Sequence, residues 1–166
     1  MFGTLALDNS DLLVLILICF FAGLIRGFSG FGLSAFVMSL ALTIIPPIEL
    51  IPVCWWMEFF ASVFMIKNGW KDSDKKISII LWLGAIFGLP IGIFLTTILD
   101  FQTSKIIALV LILILALILL KNFKIQFLST TAGTGFSGVC AGVATGLASI
   151  GGMIVATYVL ASQNSA

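Results

Sequence analysis

Apolar residues run along this chain in five long blocks, at about residues 12–45, 48–66, 77–99, 104–120 and 127–160. A helix needs about 20 apolar residues to cross a bilayer, and each block is near or above that length. The polar connections between them, residues 67–76, 100–105 and 121–126, are short. The pattern predicts an all-α fold, a polytopic transmembrane helical bundle with no soluble domain and no long linker.

The first and fifth blocks exceed what one crossing requires, and small residues interrupt both. The first reads Ala22-Gly23-Leu24-Ile25-Arg26-Gly27-Phe28-Ser29-Gly30-Phe31-Gly32, and the fifth reads Ala141-Gly142-Val143-Ala144-Thr145-Gly146-Leu147-Ala148-Ser149-Ile150-Gly151. Aligned without a gap, both follow A-G-x-x-x-G-x-x-x-x-G, which marks an internal repeat. The first copy, residues 1–126, holds a broken segment and three plain spans. The second, residues 127–166, holds only its own broken segment, so the repeat is expected to be cut off. Clustered glycines favour a helix break. Within lipid, a break is tolerated only against protein or a wet cavity.

Lysines suggest how the blocks are threaded. Lys67, Lys71, Lys75 and Lys76 follow the second block and Lys121 and Lys124 follow the fourth, so both loops are expected in the cytoplasm. The Asp100 turn and the Pro46-Pro47 turn then lie outside. The N-terminus lacks Lys and Arg and also prefers the outside. On this count the first block is a hairpin that dips in and returns, and the fifth enters from the opposite face. This is the inverted-repeat arrangement of many secondary transporters. A single long, bent crossing with the N-terminus inside is the alternative.

Composition agrees with a lipid environment: 61% of the residues are hydrophobic and only 9% are charged. The formal net charge of +1 supplies no basic stripe for nucleic acid. The N-terminus lacks the positive region of a secretory signal. Cys19, Cys54 and Cys140 all lie in apolar segments and read as small hydrophobes rather than a disulfide set. Without histidine or an acidic cluster, no metal, cofactor or enzymatic site is expected. The expected partners are the lipid bilayer, a small anion, a proton or other coupling ion, and a second half or a homo-oligomer.

Arg26 is the most informative residue. A charge this deep in an apolar block must face a cavity or a partner, and a guanidinium fork suits an oxyanion. Snorkelling from a hairpin tip and an internal ion pair are the structural alternatives. Helix N-termini at the two breaks would present free N–H groups to an anion; tight helix packing through small residues is the competing explanation. Glu58 is the candidate for proton coupling or for a fixed partner of Arg26. It shares a helix face with Cys54 and Ser62. Gly84, Gly88 and Gly92 recur every four residues and predict a close-packing face, with Pro90 adding a kink. Trp70 and Trp82 read as interfacial, and Trp55 and Trp56 as lining the interior.

The first broken motif, the Pro46-Pro47 turn, the Glu58 helix and the short basic loop together resemble the TauE/SafE sulfite-exporter-like permeases. Gly142-Val143-Ala144-Thr145-Gly146 and Ile150-Gly151-Gly152 resemble that family's second-half motif. The resemblance covers essentially the whole chain. It departs at Leu33, where the first motif often has a further glycine, and in length, because members continue past this point. It implies a permease of the bacterial inner membrane that moves sulfite, sulfonates or other organosulfur anions by alternating access. A non-transporting subunit or fragment that needs a partner half is the alternative. The resemblance carries an anion-binding role onto Arg26, Ser29, Gly30, Gly32, Gly146, Gly151 and Gly152, and Thr145 and Ser149 of the second broken motif complete the expected substrate-binding set.

Overall fold

The computed structural model of the protein describes residues 8–72, 74–121 and 130–163. Among the described residues there are seven helices and no strand: α1 (Asn9–Ser29), α2 (Leu33–Ala41), α3 (Pro47–Asp72), α4 (Lys75–Ile98), α5 (Phe101–Lys121), α6 (Thr131–Ala148) and α7 (Gly151–Gln163). Four stretches are long and apolar enough to cross a membrane: Asn9–Ser29, Pro47–Ile66, Lys75–Ile98 and Gln102–Leu120. Their outward faces carry large apolar side chains such as Leu17, Phe60, Phe87 and Leu113, a surface suited to acyl chains rather than water. The side chains of Lys67, Trp70, Lys71 and Lys121, and all of Lys124 and residues 127–129, lie outside the described residues.

Both predicted breaks are present, and they fall at matched positions of the repeat. α1 ends at Ser29 and α6 at Ala148, which are aligned residues. The next position in each copy is left-handed, Gly30 at φ 78° and Ser149 at φ 56°. Gly32, at φ 89°, then starts α2 as its N-cap. Such a backbone costs glycine nothing but strains a residue that carries a Cβ. The glycines of the first break are therefore conformational requirements, and Ser149 meets the same requirement under strain.

The limbs of each break differ in length. α1 has 21 residues, about 31 Å at the helical rise, so it is long enough to cross alone. α2 has nine, or about 13 Å, and packs back against α1. α6 and α7 also fold back on each other. The Thr134 hydroxyl and the Tyr158 hydroxyl are 2.8 Å apart and buried, although 24 residues separate them, about 36 Å in a straight helix.

The largest interface joins α4 to α6, and it is built from absent side chains. A Cβ added at Gly84 would lie 2.8 Å from the Gly135 carbonyl, and one at Gly138 would lie 2.6 Å from the Leu81 carbonyl. Added at Gly88, Gly92 or Gly142 it would collide with the carbonyls of Val139, Val143 and Ala85 respectively. The backbones therefore meet directly, which gains dispersion and Cα–H···O contacts in a medium with no hydrophobic drive between helices. Thr96 joins the same seam, its hydroxyl 3.0 Å from the carbonyl oxygens of both Gly92 and Gly146. α6 is thereby held rigidly, and it carries the second break.

Candidate functional site between the two breaks

Arg26 occupies the last turn of α1, where its cation complements the helix C-terminus. Its Nη1 donates to the Gly30 carbonyl, tying the guanidinium to the break itself. Nη2 lies 3.1 Å from Glu58 Oε2, with the two side chains 14% and 27% exposed. Glu58 Oε1 accepts from the Ser34 hydroxyl at 3.0 Å and from the Ser34 N–H at 3.4 Å. Ser34 is the second residue of α2, so the carboxylate caps the positive end of that half-helix. Glu58 lies 11 residues into the Pro47–Ile66 span, about 16 Å along it. That is half the ~30 Å thickness of the hydrocarbon core.

The second break faces this ion pair across a cleft of about 380 Å³, lined by Arg26, Trp55, Glu58, Phe59 and Ser62 on one side and Thr145, Ser149, Gly151 and Gly152 on the other. A neighbouring cleft of about 490 Å³ takes in Arg26, Ser29, Gly30, Phe31 and Gly152 with residues of α7. Arg26 and Gly152 line both. No atom lies within 4 Å of where a Gly152 Cβ would stand. Gly152 therefore opens on the cleft, whereas Gly151 beside it is closed in by Thr145 and Ala141 of α6. Among the described residues the start of α7 has no carboxylate cap of the kind that Glu58 gives α2.

The structure thus gathers seven of the nine predicted binding residues, with Glu58, around the two clefts. Two others take different places. Gly146 is packed into the α4 seam, where an added Cβ would lie 2.5 Å from the Ile93 nitrogen. Gly32 lines neither cleft, and its task is the left-handed N-cap. Ser29 and Thr145 are partly spent on their own helices. The Ser29 hydroxyl bonds Ile25 and Phe31, and Thr145 donates to Ala141 at 2.7 Å. Trp55 lines the cleft as predicted, whereas Trp56 turns outward, stacking on Phe60 and meeting Phe59 edge to face.

Ser34 is the residue that the sequence did not reveal. A serine one turn beyond a glycine break is unremarkable as text, and only the fold brings α3 beside it. One signal was available: an N2 position in a half-helix is where a carboxylate from elsewhere is stabilised.

The sequence profile of a family described as Sulfite exporter TauE/SafE matches residues 15–165. That stretch contains both breaks and every residue lining the two clefts. A search of curated proteins and a search of solved structures each returned no match.

Proposed function

Because the chain belongs to the TauE/SafE sulfite exporter family, we propose that this multi-pass membrane permease carries sulfite, a sulfonate or another small organosulfur anion by alternating access. The observation that carries the reading is the meeting of Arg26 with the start of α7 in one cleft. A guanidinium and the N–H groups of a half-helix are two established ways for a protein to hold an oxyanion. Both come from helix breaks, which typically form the binding sites of secondary transporters. The anion would bind between Arg26 and Gly151-Gly152, with Ser149 beside it. Ser29, Gly30, Gly32, Thr145 and Gly146 shape and hold the two breaks. We place the protein in the bacterial inner membrane, with an inverted second repeat beginning near residue 127.

Protein reconstituted in liposomes should take up labelled sulfite or a labelled alkanesulfonate. Arg26→Gln should reduce the initial rate by at least tenfold, the equivalent of about 1.4 kcal/mol and well within the value of a charge-assisted hydrogen bond. Uptake unaffected by Arg26→Gln would remove the anion site from this cleft. Uptake that appears only on co-reconstitution with a second half would favour the alternative of a subunit that works beside a partner.

A further inference from the structure

Both oxygens of Glu58 are engaged, and every group that engages them is one an oxyanion would use. Oε2 faces the Arg26 guanidinium, and Oε1 takes the hydroxyl and the N–H of Ser34 in the first turn of α2. The carboxylate therefore stands, from within the chain, on the groups best suited to a transported anion. Arg26 Nε is meanwhile buried without a partner among the described residues. Nε and Nη2 share one edge of the guanidinium, an edge able to take an oxyanion through two parallel bonds. Glu58 fills one of those two places and leaves the other donor unpaired, which is costly for a buried N–H. An oxyanion entering the cleft can satisfy both.

We propose that Glu58 is a tethered competitor of the transported anion, which displaces it from Arg26 and obliges it to take up a proton. The proposal rests on the reading of Arg26 as the anion site and adds its coupling. Its basis is charge. An ion pair at mid-span carries no net charge. If an anion takes Arg26 and Glu58 stays ionised, a carboxylate is left unpaired in a setting where that is strongly destabilising. A proton delivered from the bulk solution as hydronium forms an O–H bond on the carboxylate, releases a neutral water and cancels the excess. Arg26 keeps its charge, and the loaded site has the same net charge as the empty one. One anion and one proton thus move together. Among the described residues, Cys54 on the preceding turn of α3 is a titratable neighbour of Glu58, and Cys54 in turn neighbours Cys19 on α1. α2 carries none, and α6 and α7 bring only Thr145, Ser149, Gly151 and Gly152 to the cleft.

The test uses methanesulfonate, a strong-acid anion whose own protonation does not intrude, with the full chain in lipid nanodiscs. Wild-type affinity should rise about tenfold for each unit the pH falls while Glu58 remains ionised in the empty site, as one linked proton requires. In weakly buffered solution binding should take up about one proton per anion. Glu58→Gln should bind more tightly at neutral pH and lose the pH slope. An unchanged slope in Glu58→Gln, or no proton uptake by the wild type, would overturn the competitor while leaving the Arg26 site intact. Binding that survives Arg26→Gln would overturn the site itself and the competitor with it. Absence of methanesulfonate binding in both the wild type and a folded Glu58→Gln protein would do the same.

Discussion

Arg26 and Ser149 both line the cleft, and each stores a cost that packing alone does not explain. Arg26 is a charge in the last turn of a membrane helix, offset by one ion pair and one carbonyl. Ser149 is the one described non-glycine residue with positive φ, where its aligned counterpart is Gly30. A left-handed residue with a Cβ costs about 1–2 kcal/mol. Strain kept at a site points to use of the residue there, and Ser149 borders the cleft. Ser149→Gly should therefore raise the melting temperature of the purified protein, by the equivalent of about 1 kcal/mol, while lowering anion uptake. A thermal melt beside a liposome assay separates the two effects. Loss of stability together with normal uptake would show that the serine serves packing. The lone arginine was legible in the sequence because charge is so rare there. Its partner was legible only as one of two readings of Glu58, and the ion pair is the reading found; the order of residues along the chain cannot by itself join position 26 to position 58.

The glycines divide into two kinds at the level of elements, and this was only partly legible. The spacing of Gly84, Gly88 and Gly92 announced a packing face, and the structure assigns it to α6. The glycines of the fifth block concealed two functions. Gly142 and Gly146 fit against α4, while Gly152 borders the cleft. Sequence periodicity could not separate them, because both demands favour the smallest residue. Gly88→Ala drives a methyl group into the Val139 backbone, which cannot rotate away. It should destabilise by about 1–3 kcal/mol, the usual range for overpacking. Gly23→Ala meets nothing within 4 Å and should be neutral or slightly stabilising by helix propensity. Detergent melts of the two variants check the contrast. The start of α5 offers a second element-level test. The Asp100 carboxylate accepts from the Thr103 N–H at 3.1 Å, and hydrogen bonds from Thr103 hold its pKa below the usual carboxylate value. A lowered folded-state pKa means that its contribution is complete above the ordinary carboxylate range and fades as pH falls through the folded value. The stability gap between wild type and Asp100→Asn should close on acidification in that window, measured by melting temperature against pH.

Over the whole molecule, the sequence pattern located the blocks and both interruptions, because hydropathy and glycine clusters report directly on lipid and on broken backbone. It did not disclose that α1 is a full-length limb and α2 a half-length one. Nothing in an apolar run of more than thirty residues says where Gly30 and Gly32 will turn left-handed until the turn is seen. The structure adds what matters for function: two breaks, more than a hundred residues apart in the chain, meet at neighbouring clefts, Ser29, Gly30 and Phe31 sharing one with Gly152, and Arg26 and Glu58 sharing the other with Thr145, Ser149, Gly151 and Gly152. If the anion sits there, occupancy must shield the start of α7. The most direct measurement is the rate of maleimide labelling at Gly152→Cys, made in a background with Cys19, Cys54 and Cys140 replaced by serine. The account predicts that methanesulfonate slows labelling with Arg26 present and has no effect after Arg26→Gln. Labelling indifferent to the anion in both backgrounds would contradict it.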